Sequence, residues 1–298
     1  MSTRSTSATQ VLFDAPGPKA KARYLVGGVI TLLVVLGVIA FVIIRLIDTG
    51  QFTAAKWRIF TFPLVQQTIV QAVGATLSAF ALAAVLSIVL GMLLAVGKLS
   101  DHRWVSVPCF WFVELFRAVP LLILMMMIYY GLPTIGVHGV TPFAAVVGGL
   151  TLYNGSVLAE AFRAGIESLP KGQKEAGMAI GLRKSQVMSL ILFPQAFRAM
   201  LPLVLAQLVV ILKDTALGFI VTYNEILFQA KYFGSQALYG SPIIPAAMVA
   251  AVIYIGLCLI LSGIAKLVEI RLRKGRKGKV LDANPAPGST LEGGSAGA

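Results

Sequence analysis

The sequence has little charge and little cysteine. Only 12% of its 298 residues are Asp, Glu, Lys or Arg, and 12 residues are acidic, whereas a soluble domain carries about 25% charged residues. The two cysteines, Cys109 and Cys258, both lie in apolar sequence, where the thiol behaves as a small hydrophobic group. The low charge argues against an ordinary soluble domain, and the cysteines indicate neither a disulfide framework nor a redox compartment.

Patterns typical of catalysis or metal binding are also missing. The two histidines, His102 and His138, are far apart in the sequence and fall in predicted loops, so no metal site is predicted. No Ser/His/Asp or Cys/His set has the spacing of a catalytic family. The basic residues 275–280 differ in spacing from the nucleotide-binding pattern G-x-x-x-x-G-K-[ST] and lack its hydroxyl. We therefore expect no catalytic residue, no cofactor, no metal and no ATP hydrolysis by this chain.

The sequence does contain four long uncharged runs, at residues 24–44, 59–97, 118–159 and 232–265. A helix needs about 20 apolar residues to cross a bilayer. The third run must form a hairpin, because Gly and Pro at residues 131–133 and 139–142 interrupt it. We predict an all-α polytopic membrane protein with six transmembrane helices, at residues 24–44, 68–97, 109–131, 142–162, 195–222 and 243–269.

Lysine and arginine border these runs unevenly. They are concentrated before the first span, after the last span and in the second and third internal turns that share that side. The positive-inside rule therefore predicts that both termini are cytoplasmic. We interpret the net charge of +13 as a topology signal, with no nucleic-acid partner. Residues 1–18 and 280–298 have the composition of disordered chain, so we expect residues 1–23 to form a disordered cytoplasmic N-terminus and residues 271–298 a basic, then disordered cytoplasmic tail.

About thirty residues between two apolar blocks, 163–193, are rich in charge and small side chains. We expect two short helices there. The first covers residues 172–180, Gly181 supplies a left-handed stop, and Ser185 caps the second. Small residues after Glu175 would let a partner approach closely. Alternatively, the segment is an ordinary amphipathic helix that lies on the membrane surface.

The order Glu175-Ala176-Gly177, then Gly181, then Ile-Leu-Phe-Pro at residues 191–194 resembles the EAA signature of ABC-importer permeases. Gly177 replaces the usual alanine, and Phe193 the usual leucine. Three further stretches resemble the histidine/glutamine/glutamate type of polar amino-acid permease, namely Glu114 to Pro120, Pro194 to Arg198 and Leu212 to Thr215. The similarity covers residues 65–270, a five-helix permease core, and the span at 24–44 is an addition to it.

The resemblance implies a permease subunit that works with two ATP-binding-cassette ATPase subunits, a second permease chain (homologous or identical) and an extracytoplasmic amino-acid-binding protein. It assigns ATPase coupling to Glu175, Ala176, Gly177 and Gly181, so we call residues 163–193 the coupling segment. The extra N-terminal span and the basic, then Gly/Pro/Ser-rich tail resemble glutamate-uptake permeases of actinobacteria. Glutamate is therefore the expected substrate.

Charged residues within the apolar spans form a second candidate set. Intramembrane charges are unfavourable and usually face a cavity or a partner. The candidates for the translocation path are Glu114, Arg117, Pro120, Lys213, Asp214 and Thr215. Glu114 and Arg117 have the i, i+3 spacing of a structural ion pair, so both roles remain open for them. Lys213 and Asp214 would lie inside the bilayer or at its outer interface, depending on where their helix ends. Pro194 and Pro202 suggest that this helix is broken, and such breaks line cavities in transporters.

Two other functions are compatible with parts of this pattern. In an ion-coupled secondary transporter, Arg117, Lys213 and Asp214 would form the ion or proton relay, and transport would follow membrane potential or pH. That hypothesis gives the Glu175 motif no purpose. A non-transporting membrane scaffold would leave the intramembrane charges unexplained.

Overall fold

Proline begins three of the long apolar helices. Pro18, Pro63 and Pro142 each lie in the first turn, where the missing N–H breaks no helical hydrogen bond and the fixed φ suits the helix. The hydroxyl of Thr141 also accepts a hydrogen bond from the Ala144 backbone N–H at 3.1 Å, which caps the third of them. These starts convert the apolar runs into helices with defined ends.

The computed structural model describes residues 17–274, and helices form its regular structure. In chain order the α-helices are α1 (Pro18–Asp48), α2 (Ala54–Trp57), α3 (Pro63–Lys98), α4 (Arg103–Ala118), α5 (Leu121–Met126), α6 (Leu132–Thr134), α7 (Pro142–Glu167), α8 (Lys171–Ala179), α9 (Lys184–Gln186), α10 (Phe193–Asp214), α11 (Ile226–Gly234) and α12 (Ile243–Lys274). Residues 1–16 and 275–298, which hold most of the two tails predicted to be disordered, lie outside the described residues.

Five stretches are long and apolar enough to cross a membrane as continuous spans: Pro18–Asp48, Pro63–Lys98, Pro142–Glu167, Lys184–Val221 and Ile243–Arg271. A sixth is formed by Arg103–Ala118 and Leu121–Thr134, which are bent by 101°. The predicted all-α architecture is confirmed, and the bent pair brings the candidate spans among the described residues to six. The first helix begins at Pro18, so the basic residues 19–23 form its first turns and are not part of a disordered tail.

The bend in the third span follows from Pro120. A residue before proline is driven away from helical geometry, and Val119 has φ −82° and ψ 125°, which is extended backbone. The span predicted at 109–131 is therefore two helical pieces. Beyond the bend, a π-helical stretch at Met127–Gly131 joins α5 to α6.

Proline has less effect in the fifth span than we expected. We predicted a helix broken by Pro194 and Pro202, but both lie within α10, the first at its start and the second in its interior. The break comes later, where α10 passes into a 3₁₀ helix at Thr215–Val221 and Thr222 adopts a left-handed conformation with φ 58°. The chain then continues into α11, which packs against α12 and α3.

Helices α3 and α7 form the centre of the bundle. The buried positions of α3 are mostly small, including Ala79, Ala83 and Gly91, and small residues let membrane helices approach closely. A Cβ atom added to Gly91 would lie 2.8 Å from the Leu158 Cβ and 3.0 Å from the Gly155 carbonyl oxygen. This contact brings the ends of α3 and α7 together beside the coupling segment, at what we call the coupling end. By contrast, α1 has no buried residue.

A substitution tests this packing. Gly91→Val should lower the thermal stability of the purified protein, because overpacking a close helix contact costs about 1–3 kcal/mol. The matched control is Gly74→Ala on the exposed side of α3, where an added Cβ would meet nothing within 4 Å. The melting temperature in detergent measures both. A Gly91→Val variant as stable as the Gly74→Ala variant would contradict the packing described.

Candidate functional site

The coupling segment leaves α7 and returns to the bundle through α10. Only three residues, 168–170, separate the end of α7 from α8, and Pro170 is the N-cap residue of α8. After α8, α9 runs without interruption into a π-helical stretch at Val187–Leu192 and then into α10. Both ends of the segment are therefore continuous with long apolar helices.

Gly181 ends α8 in the left-handed conformation predicted for it, with φ +86°. Its N–H donates to the Met178 carbonyl at 3.0 Å, and the Leu182 N–H donates to the Gly177 carbonyl at 3.2 Å. This pair of bonds is the Schellman arrangement, which favours glycine because a Cβ is strained at positive φ. The tight stop sets the direction in which the chain turns back towards the bundle.

The second short helix does not begin as predicted. Ser185 lies inside α9, and the N-cap residue is Arg183. The Arg183 backbone N–H donates to the Gln186 side-chain oxygen at 2.9 Å. A Gln three residues after the cap can satisfy this donor, so the helix forms without a serine cap.

Helix α8 presents nearly all of its surface to solvent. Gly177 is its one buried residue, and a Cβ there would lie 2.9 Å from side-chain atoms of both Val187 and Ile191. Glu175 and Ala176 are exposed, and Ile180 just beyond the helix is 77% exposed. Exposed apolar residues beside a carboxylate on a short, fixed helix are suited to contact with another protein.

The coupling segment is also tied to the turn between α3 and α4. The Lys184 ammonium donates to the Leu99 carbonyl at 3.2 Å and to the Asp101 carboxylate. The hydrogen bond from Lys184 lowers the pKa of Asp101 below its ordinary value. Between this tie and the end of α7 lies a cavity of about 200 Å³ whose lining includes Ile166 and Val187. The segment is thus held at a third point besides its two ends.

The intramembrane charges of the third span form ion pairs. Arg117 lies 3.6 Å from Glu114, and both side chains are about 40% exposed. Glu114 also lies 3.6 Å from the ammonium of Lys98, which donates to Glu160 at 2.7 Å. The structural pairing that we left open for Glu114 and Arg117 is therefore present. Lys98 and Glu160 were not recognised from the sequence as partners.

The other candidates for the translocation path lie outside this group of ion pairs. Lys213 is exposed in the last turn of α10, and Asp214 is half-buried. Thr215 is fully buried, and its hydroxyl donates to the Leu212 carbonyl at 2.7 Å. Pro120 is the N-cap residue of α5. Within residues 17–274, no ion pair joins Lys213 or Asp214 to the charges of α4.

The sequence matches the family described as "Binding-protein-dependent transport system inner membrane component" over residues 87–274, which is more than half of the chain. The chain belongs to this permease family. The match begins inside α3 and includes the coupling segment, so α1 lies outside the matched region.

Named relatives narrow the class of permease. The glutamate transport system permease protein GluD of Corynebacterium glutamicum is 40% identical over 236 residues, 77% of this chain and 84% of GluD. The arginine transport system permease protein ArtQ of Bacillus subtilis is 31% identical over 210 residues, 69% of this chain and 92% of ArtQ. A crystal structure of an amino acid ABC transporter with histidines has a chain that is 27% identical, with a TM-score of 0.62, covering 69% of this chain and 94% of that one. The predicted resemblance to amino-acid ABC-importer permeases is confirmed.

One buried acid of this permease was missed by sequence reasoning. Glu225 is fully buried and caps α11, accepting hydrogen bonds from the backbone N–H groups of Leu227 and Phe228 at 2.7 and 2.6 Å. The hydroxyl of Tyr254 on α12 donates to it at 2.7 Å. The sequence pattern that indicates Glu225 is a single carboxylate between two uncharged stretches, residues 215–224 and 226–230. The hydrogen bonds of Glu225 join α11 to α12.

Proposed function

We propose that this amino-acid ABC-importer permease takes up glutamate and is driven through its coupling segment by two cytoplasmic ATPase subunits. A second permease chain, identical or homologous, would complete the path, and an extracytoplasmic binding protein would deliver the substrate. The observation that carries the coupling role is the geometry of α8, exposed on nearly every side while its flanks continue into α7 and α10.

The mechanism follows from this geometry. Closure of the ATPases on ATP would displace α8 as a rigid unit, because the Gly181 stop and the packing of Gly177 fix its orientation. The displacement would pass into α7 and α10 and switch the helices between inward-open and outward-open arrangements, as hinge and shear transitions do. Coupling of this kind is reciprocal, so a loaded binding protein outside would favour ATPase closure inside. The permease itself would hydrolyse no ATP.

The proposed orientation places both termini and α8 in the cytoplasm. Lys98, Arg103 and Lys184 all lie at the coupling end, and cytoplasmic loops are enriched in such residues. On the opposite side, the first loop carries Arg45, Lys56 and Arg58, the second loop no Lys or Arg and the third Lys231, a smaller number than the total at the coupling end. The charge distribution therefore supports ATPase access to α8.

Two observations support glutamate as the substrate. The first is the 40% identity to GluD. The second is the exposed ammonium of Lys213 near the end of α10, since a substrate with two carboxylates needs a second cation besides the one that holds its α-carboxylate. The Arg117 guanidinium, 40% exposed, is a candidate for the other, because its planar fork can hold both carboxylate oxygens.

The coupling role is tested by reversing one charge. Glu175→Lys should leave the permease in the membrane at normal amounts but abolish co-purification of the ATPase subunits, because the exposed helix would present the wrong charge to its partner. Asp48→Lys, an equal charge reversal at the exposed far end of α1, is the matched control. Normal ATPase co-purification by the Glu175→Lys variant would exclude the docking role of α8.

The substrate assignment is tested at Lys213. Lys213→Ala should reduce labelled glutamate uptake at least about tenfold, because a hydrogen bond to a charged group contributes about 1.5–3 kcal/mol. Lys213→Arg, which keeps the charge, should retain most of the uptake. The measurement is initial uptake in a deletion strain, with labelled arginine as a second substrate. Full glutamate uptake by Lys213→Ala, or uptake of arginine alone by the unsubstituted chain, would overturn the assignment.

A further inference from the structure

Lys98 occupies an unusual position at the coupling end of the bundle. It lies in the last turn of α3, yet its side chain is only 6% exposed. Its ammonium lies 2.7 Å from Glu160 of α7, 3.6 Å from Glu114 of α4 and 5.0 Å from the centre of the Phe110 ring. An ammonium buried to this extent is stable only with such partners. The side chain therefore fills the space where α3, α4 and α7 meet.

The two carboxylates that Lys98 contacts belong to longer rows of charge. On α7, Arg163 donates through Nε to Glu160 at 2.9 Å and through its terminal nitrogen to Glu167 at 2.5 Å. On α4, Glu114 lies 3.6 Å from Arg117. The result is an ionic ladder of six alternating charges that sum to zero, formed by Arg117, Glu114, Lys98, Glu160, Arg163 and Glu167.

The two ends of this ladder lie beside the start of α8 and beside the bend of the third span. Glu167 is the last residue of α7, and α8 begins four residues later. Arg117 lies two residues before the extended residue Val119, where the third span bends by 101°. The ladder therefore runs from the base of the coupling segment to the bend between α4 and α5.

Lys98 differs from the other members because its contacts cross between helices. The pairs Glu114–Arg117, Glu160–Arg163 and Arg163–Glu167 have i, i+3 or i, i+4 spacing and lie within single helices. In this ladder, α7 and α4 are joined through the Lys98 ammonium. Removing the Arg163–Glu167 pair leaves the cross-connection, whereas removing Lys98 eliminates it.

We propose that Lys98 is a positioning residue that transmits displacement of the coupling segment from α7 to the bent helix α4–α5, and so couples ATP hydrolysis to transport. This inference rests on the proposed ATPase coupling and is independent of the substrate. Lys98 has two contacts of unequal length, which we call its Glu160 arm and its Glu114 arm. Glu160 accepts a direct hydrogen bond at 2.7 Å, whereas Glu114 at 3.6 Å is beyond hydrogen-bond distance. The Glu114 arm is the one that changes as the helices rearrange.

The test uses the assembled transporter, with ATPase subunits and binding protein, reconstituted in vesicles. The readout is the number of amino-acid molecules taken up per ATP hydrolysed, measured with a labelled mixture of amino acids so that it does not depend on the glutamate assignment. Lys98→Met should lower this ratio about tenfold, within the range of ~5- to 150-fold typical of coupling between sites. Lys98→Arg, which keeps the charge, should restore most of it.

Two further variants separate coupling from folding. Glu114→Gln removes the longer arm together with the Glu114–Arg117 pair within α4, from a side chain that is 41% exposed, so it should fold normally and lower the same ratio. Asp48→Asn removes one exposed negative charge at the far end of α1, outside the ladder and the coupling segment, and it should keep the ratio within about twofold of the unsubstituted transporter. If the Lys98→Met variant does not accumulate in the membrane, the uptake per ATP of the Glu114→Gln variant decides the test.

Specific outcomes would overturn the assignment. Normal uptake per ATP in Glu114→Gln and in any Lys98→Met that assembles would exclude Lys98 as a coupling element. An equal loss in Asp48→Asn would show that the effect is not specific to the cross-connection. Failure of the proposed function would appear in the unsubstituted chain itself, as the absence of ATP-driven uptake, and this inference would fall with it.

Discussion

The close approach of α3 to α7 is the constraint on which the rest of the molecule depends. At Gly91 the two backbones are so close that a single added carbon would lie 3.0 Å from the Gly155 carbonyl oxygen. Lys98, two turns further along α3, consequently reaches Glu160 on α7. If larger side chains separated these helices, the buried ammonium would lose its hydrogen bond to Glu160, which is unfavourable for a charge inside the protein. Tight helix packing therefore makes the ionic contacts of the coupling end possible.

The coupling segment must satisfy two opposing requirements. It must expose a surface for a partner, and it must not move independently of the membrane helices. The first is met because α8 buries only Gly177. The second is met by the helical continuity into α10, by the left-handed stop at Gly181 and by the bonds from Lys184 to the α3–α4 turn. In the proposed mechanism, a force applied to α8 would therefore be passed to α7, α10 and the α3–α4 turn together.

Local features of the fold were predictable from the sequence, whereas long-range ones were not. Apolar run lengths predicted the spans, and the glycine at 181 predicted its own left-handed conformation, because both depend on neighbouring residues. The Pro194 and Pro202 predictions failed because a proline near a helix start is tolerated and the interior one is accommodated within α10. The cap at Ser185 failed because Gln186 satisfies the Arg183 N–H instead.

The candidate site also combines local features, which the sequence predicts, with long-range contacts, which it does not. The EAA-like motif was visible in the sequence because its residues are contiguous. The contact of Lys98 with Glu160 joins positions 62 residues apart, and the hydrogen bond between Gln207 and the fully buried Asn154 joins positions 53 apart. Such pairs depend on which helices become neighbours, and hydropathy does not specify that. Lys98 therefore looked like a simple topology signal at the end of a span.

The central claim is that transport by this permease is driven by ATP through an external ATPase. It is tested most directly in vesicles that contain the permease with its ATPase and binding protein, with membrane potential and pH gradient collapsed. The account predicts that labelled glutamate is taken up when ATP is supplied on the ATPase side and not without it. Uptake that persists without ATP and follows an imposed membrane potential or pH gradient would contradict the account and would identify an ion-coupled transporter instead.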